Sequence, residues 1–363
     1  MTGEPVTQTA SHTLTPDEAV AFATAALATL TLPPSARVVL VTGSLVEGLG
    51  NSRSDVDIVT FADEVIAGAS LDVATGSVVD IAHVSGVRVD HEVWTVAYVE
   101  ELIERFAKYD VREEKFYMAF TRHEIELVHC VLAARAIQGA DIHARWVEQL
   151  DPARFADTMR HMAHDACEGF VDDAVGALAS GDLDTATLMT RAATESLVDA
   201  FLAARGVTSP KLFKWRQRIL RGAGSPEWSD LYWSAQAVVR PGTAGPAAIA
   251  AALTSRIREI RARACEIELE LPYGSLSGSA RRSPFARLRR FGSEYVVNLD
   301  GHSIGCDAVD ASIWALCTED SGADPESVAT AVRARFPGED GIDAAYVGSV
   351  VGDMVARGVL EQP

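Results

Sequence analysis

The sequence predicts an α+β protein of more than one domain, and three observations carry that reading. Short apolar runs with a period of two cluster between Arg37 and Trp94, the pattern of half-buried strands. From Val96 to Leu269 the apolar residues recur at helical spacing instead. A stretch rich in Gly and Ser at 272–279 then breaks the pattern, and short strands and three helical stretches follow it. These changes place a mixed-sheet domain at 12–150, a helical domain at 151–271, a linker at 272–283 and a last module at 284–363. A chain of 363 residues has room for two or three such cores.

The segment before about Ser11 reads as disordered. Thr15-Pro16-Asp17-Glu18 offers an N-cap, a proline at the first helical position and acids in the first turn, so a helix runs to about Leu30 and ends at Leu32-Pro33-Pro34. Val38-Val39-Leu40-Val41 is a buried strand that stops at Thr42-Gly43-Ser44, and a short helix follows. The next strand carries Asp55 and Asp57 between Val56 and Ile58, which puts both carboxylates on one face. Residues 77–84 and 87–94 read as a hairpin turning at Ser85-Gly86. On its second strand Asp90 and Glu92 share one face; Val89, His91 and Val93 share the other, so His91 reads as a packing residue. Helices are expected from Val96 to about Leu150 and from Phe155 through Leu202, the latter turning at Gly181-Asp182. After a loop at 239–246, another helix covers about Ala247 to Leu269.

Composition excludes several classes. The balance of 48% hydrophobic and 23% charged residues is that of a soluble globular chain. A net charge of -19 argues against general nucleic-acid binding, because phosphate contacts need clustered Lys and Arg. No apolar run is long enough for a bilayer, and Met1-Thr2-Gly3-Glu4-Pro5 lacks the character of a signal peptide. The five cysteines are scattered, with no Cys-x-x-Cys pair, which fits reduced thiols in a cytoplasm rather than zinc.

Two adjacent acids repel unless a cation sits between them, and Mg²⁺ is the simplest cation for carboxylates that work on phosphates. Gly43-Ser44, about ten residues, then Ser54-Asp55-Val56-Asp57 resembles the signature of the nucleotidyltransferase superfamily that includes DNA polymerase beta and the aminoglycoside nucleotidyltransferases. The resemblance implies that Asp55 and Asp57 hold Mg²⁺ on a nucleoside triphosphate, ATP first among them, while Gly43, Ser44 and Ser54 hold its phosphates. It also implies a third carboxylate on a neighbouring strand. Asp90 or Glu92 can supply it, to complete the metal set with Asp55 and Asp57 or to take the acceptor proton. Lys211-Leu212-Phe213-Lys214-Trp215-Arg216 lies in a stretch similar to the helical partner domain of antibiotic-modifying members. Lys214, and less so Arg216, is a candidate to reach the triphosphate.

The last module reads as two short strands around Asp300-Gly301, then helices near 308–317, 325–336 and 344–357, then Gly358-Val359-Leu360. It resembles the PqqD-like winged helix, the precursor-recognition element of enzymes that modify ribosomally made peptides. The helix 344–356 carries Asp353 and no Lys or Arg, which argues against DNA reading. Arg281, Arg282, Arg287, Arg289 and Arg290 precede the hairpin, either as flanks for an acidic leader or as a solvated linker. The resemblance implies that a leader peptide adds a strand to the sheet edge. Together the two resemblances imply an enzyme that transfers a nucleoside monophosphate to a precursor peptide and releases pyrophosphate. The alternatives are a transferase for small antibiotics and a regulator that binds nucleotide and peptide without transfer.

Overall fold

The alternation between Arg37 and Trp94 forms a sheet, and the class is α+β as predicted. The computed structural model describes residues 13–64, 71–72, 77–110, 119–236, 245–269, 281–282, 286–299, 302–317, 324–339 and 341–361. The segment before Ser11, most of the 239–246 loop, most of the 272–283 linker and the Asp300-Gly301 turn lie outside the described residues. Contacts divide the chain into two compact units. One is Met1–Tyr109, Tyr117–Phe155 and Thr208–Trp215; the other is Asp110–Phe116, Ala156–Val207 and Arg216–Pro363.

In the first unit β1 (Ala36–Thr42), β2 (Val56–Ala62), β3 (Leu71–Asp72), β4 (Ser77–Val84), β5 (Val87–Thr95) and β6 (Arg135–Gln138) make a six-stranded sheet. Its order is β3-β4-β5-β2-β1-β6. β2 and β5 run parallel, and the other described pairs are antiparallel. β4 and β5 occupy the residues expected for the hairpin, with Ser85 at φ 50° and Gly86 at φ 82° in its turn. Two successive left-handed residues match the twist of the strands they join.

α1 (Pro16–Ala26) is capped as its sequence predicts: Thr15 Oγ1 accepts from Glu18 N at 3.3 Å, and Glu18 Oε2 accepts from Thr15 N at 2.8 Å. Ala19, Ala23 and Ala26 recur a turn apart and pack with Val39, Val41, Ile58 and Val89 on one sheet face. α2 (Gly43–Val46) is the short helix after β1.

The opposite sheet face is covered at one end of the strands. α3 (Val96–Lys108) begins where Thr95 accepts from Tyr98 N, and it buries Val99, Leu102, Ile103 and Phe106. α4 (Arg122–Ala133) and α5 (Ala140–Leu150) follow. Trp146 of α5 meets Phe61 edge-on at 5.1 Å, and Trp94 stacks on Tyr98 at 5.0 Å. Phe61 and Trp94 are register partners, as are Asp57 and Asp90 four residues earlier. One end of this face is therefore aromatic and roofed, the other acidic and partly open.

β6 interrupts what the sequence predicts as continuous helix. Arg135–Gln138 pairs with β1, and Gln138 Nε2 donates to Ala36 O at 2.9 Å. Four residues are too few for a strand period to register against flanking helices.

In the second unit the helices are α6 (Pro152–Ala179, from Ala156 on), α7 (Leu183–Ala203), α8 (Arg216–Gly222), α9 (Pro226–Gln236) and α10 (Pro246–Leu269). The turn at Gly181-Asp182 falls where expected, and Asp182 caps α7 by accepting from Thr185 N at 3.0 Å. Charged side chains join these helices in pairs. Arg160 of α6 reaches Glu268 of α10 at 3.1 Å and Asp157 at 2.6 Å. Arg216 grips Asp199 through bonds of 2.6 and 2.7 Å and also reaches Glu195 at 3.2 Å.

Toward the C-terminus β7 (Arg281–Arg282) pairs with β11 (Leu360–Glu361), and β8 (Arg287–Phe291), β9 (Glu294–Leu299) and β10 (His302–Cys306) form a three-stranded sheet. α11 (Ala308–Leu316), α12 (Pro325–Arg335) and α13 (Ala344–Ala356) match the expected helical triplet. Buried Trp314 donates from Nε1 to Val359 O at 3.1 Å. Part of the basic run belongs to the strands of the module itself. Arg282 is buried, donates to Cys317 O at 3.1 Å and lies over the Trp314 ring. Arg287 pairs with Asp172, and Arg290 donates to Gly292 O at 3.1 Å. Among the described residues no helix is long and apolar enough to cross a membrane.

Candidate active site

Asp55, Asp57 and Asp90 converge, each offering a carboxylate oxygen within 4.8 Å of the others. Local sequence builds the first half of this cluster. Asn51-Ser52-Arg53-Ser54 closes a turn in which Asn51 Oδ1 accepts from Arg53 N at 2.8 Å and Ser54 Oγ accepts from Asn51 N at 2.9 Å. That turn delivers Asp55 to the start of β2. Ser44 Oγ donates to Ser54 Oγ at 3.4 Å and ties the turn to α2. The second half is tertiary: the parallel register of β2 and β5 sets Asp90 beside Asp57.

Gly43 is required twice over. Its φ of 83° is left-handed, and a Cβ there would lie 1.9 Å from Asp57 Oδ2. The turn after β1 thus presses bare backbone against the central carboxylate.

Electrostatics mark the cluster as overcharged with acid. Burial first, and then the Asp55 charge, push the Asp57 carboxyl up from 3.8 to about 7; Asp90 and Glu92 add to the rise, and Lys211 opposes it. Burial and then the Asp57 charge push the nearby Cys130 thiol up to about 12. An all-oxygen set of three carboxylates suits a hard divalent cation such as Mg²⁺, and Asp55, Asp57 and Asp90 are the residues that would hold it.

Glu92 stands apart from that set although it shares the face. Its carboxylate lies 3.5 Å from His123 Nε2, on α4. The two acids that the sequence leaves as alternatives therefore take different positions, Asp90 with the aspartate pair and Glu92 toward His123. His91 packs on the other face, where Nε2 meets Thr60 Oγ1 at 2.9 Å and burial lowers its pKa.

Two cations at the site escape the sequence reading. Arg88 binds Asp90 through two bonds of 2.6 Å and lies 3.9 Å from Asp55. Its signal was available, because Arg88 and Asp90 are two apart on a strand and share a face. Lys211 is the lysine felt by Asp57, and its Nζ lies 3.9 Å from Glu126 Oε2. Lys214, the lysine favoured from sequence, stands 5.9 Å above the Phe213 ring. Arg216 is buried in its pairs with Asp199 and Glu195. Among three near-adjacent cations, nothing in sequence tells which faces the sheet. A polar cluster on α4 was also missed: His129 reaches Glu47 at 3.3 Å and Thr208 at 3.4 Å.

No protein-family model matches the chain, and no curated protein does. Among solved structures, a nucleotidyltransferase-like protein from Exiguobacterium sibiricum 255-15 is similar, with 13% identity over 70% of this chain and 78% of that one, at a TM-score of 0.36. A likeness that slight leaves the chemistry to be read from the carboxylates and the turn that holds them.

Proposed function

We propose that the chain is a nucleotidyltransferase that moves a nucleoside monophosphate from an NTP, with Mg²⁺, to a hydroxyl of a ribosomally made precursor peptide. The observation that carries the transferase reading is the convergence of Asp55, Asp57 and Asp90 against the Gly43 turn. Bound by these carboxylates, Mg²⁺ would neutralise phosphate charge that builds up in phosphoryl transfer. Gly43, Ser44 and Ser54 hold the phosphates on the β1 side of Asp57, and Lys211, which acts on Asp57, offsets charge on the leaving group. Lys214 remains a second candidate for that role. Asp90 belongs with the metal pair, while Glu92 receives the acceptor proton. The acceptor oxygen bonds to the α-phosphorus, the bond to the bridging oxygen breaks, and pyrophosphate leaves.

The peptide half of the reading rests on the C-terminal resemblance to the PqqD-like fold. A leader held there raises the local concentration of the acceptor. The enzyme is read as cytoplasmic. A small-molecule transferase of the antibiotic type is the second reading, favoured by the resemblance of the first domain alone. A non-catalytic regulator fits poorly with three carboxylates kept together at an electrostatic penalty.

The test is to incubate the protein with Mg²⁺, each NTP and short precursor peptides encoded beside it, then to measure peptide mass. The expected result is a gain of one nucleoside monophosphate that depends on residues 281–363. Modification of a small antibiotic with no peptide product would overturn the peptide half; no transfer to any acceptor would overturn the whole.

A further inference from the structure

β4 runs beside the acid strand, with Val79 opposite Glu92 and Ile81 opposite Asp90. Directly paired residues of an antiparallel ladder share a face, with Cβ atoms about 5 Å apart. Both aliphatic side chains thus stand on the carboxylate face, and both are open: Val79 is 45% and Ile81 54% exposed. Where one face of an antiparallel sheet meets water, alternation puts polar residues outward. Here the outward residues next to the acids are branched aliphatics. The following residue on this face is His83, opposite Arg88. Among the described residues β4 therefore brings no acid to this face.

The sheet order β4-β5-β2-β1 puts this apolar strip on the far side of the carboxylates from Gly43. Attacking and leaving oxygens lie roughly in line across the phosphorus. With the triphosphate on the β1 side, the acceptor comes over β5 and β4. We propose that Val79 and Ile81 are specificity-determining residues that contact the acceptor beside its reacting hydroxyl and select an uncharged, apolar-flanked hydroxyl over a polycation. An ammonium group placed there would lose hydration against aliphatic carbon and meet Arg88; β4 brings no carboxylate to pair it, Asp90 opposite Ile81 is already held by Arg88 through both oxygens, and Glu92 opposite Val79 lies toward His123. The inference rests on the transferase reading above and sharpens its acceptor.

The experiment uses the full chain with Mg²⁺ and ATP and three probes. Two are synthetic peptide pools that present Ser, Thr and Tyr, one flanked by Val and Leu and the other by Lys; the third is kanamycin. The wild type should prefer the apolar-flanked pool. Ile81→Glu should lower kcat/KM for that pool about tenfold, chiefly through KM, by removing apolar surface from the acceptor path. It should also raise transfer to the Lys-flanked pool, and leave binding of a fluorescent ATP analogue unchanged. Val79→Thr, which adds no charge, should weaken the apolar preference without creating one for Lys. A wild type that favours the Lys-flanked pool, or an Ile81→Glu enzyme with unaltered preference, would overturn the inference alone; transfer to kanamycin and to neither pool would overturn it together with the peptide half of the proposed function. Transfer to no probe, with the ATP analogue still bound, would overturn the transferase reading and this inference together.

Discussion

Asp57 of the first unit and Asp199 of the second are both carboxyls that burial pushes upward, yet their surroundings answer in opposite ways. Asp199 has its own cation: Arg216 holds both oxygens at 2.6 and 2.7 Å and counters the rise. Asp57 has Asp55 as its strongest neighbour, with Asp90 and Glu92 adding to the same effect. A helix-bound pair of opposite charges is complete within the chain and serves architecture. The like charges gathered on the sheet are met only in part, by Arg88 on Asp90 and by Lys211, and under the proposed function a divalent cation would complete them.

Five substitutions test this contrast. The largest effect should come from Asp57→Ala, which removes the centre of the acid cluster and should cut nucleotidyl transfer by roughly 10³ with the fold retained, since the chemistry depends on electrostatic positioning. Steady-state turnover with circular dichroism checks it, and near-normal Mg²⁺-dependent turnover would refute the assignment. Arg216→Ala should act on stability instead, costing about 2–3 kcal/mol because it strands Asp199 in a partly buried site. Denaturant unfolding measures that loss.

Lys211→Ala should raise the KM for NTP by about tenfold, the effect of removing one charge-assisted phosphate bond near solvent. Lys214→Ala should change it less, and the reverse order would restore Lys214 as the phosphate ligand. The last change concerns pH. Because the folded chain holds the Asp57 proton more tightly than an ordinary carboxyl of 3.8 would, this group favours folding most below about pH 4 and loses that contribution as pH rises toward about 7. In metal-free buffer Asp57→Asn should therefore melt higher than wild type at pH 8, by about 2–4 °C per kcal/mol relieved, and the gain should vanish near pH 4. Mg²⁺ should raise the wild-type melting temperature at pH 8 and leave that of the variant unmoved; differential scanning fluorimetry reads both.

What could be read in advance was local. Thr15 with Glu18 announced a capped helix, and Ser85-Gly86 announced the turn between β4 and β5, because each depends on residues that touch within a few positions. The alternation of Asp55 and Asp57 with Val56 and Ile58 placed two carboxylates on one face for the same reason. β6 and β8 were not legible as strands. Arg135–Gln138 is held by β1, about a hundred residues earlier, where Gln138 pairs with Val39, and Arg287–Phe291 carries three arginines around the inward residue Leu288. The basic residues of β8 masked the period that its pairing with β9 reveals.

By itself the sequence determined the turn-and-strand unit from Gly43 to Asp57, since backbone sterics and the two-residue period act within the segment. It could not choose between Asp90 and Glu92, or between Lys211 and Lys214. What bears on both is tertiary: the parallel register of β2 and β5 pairs Asp57 with Asp90, and Lys211, whose Nζ lies 3.9 Å from Glu126 Oε2, is the lysine whose charge acts on Asp57. Register between distant strands is set by packing of the whole face, so a one-residue slip that no local pattern forbids would have exchanged the site's acids for core residues.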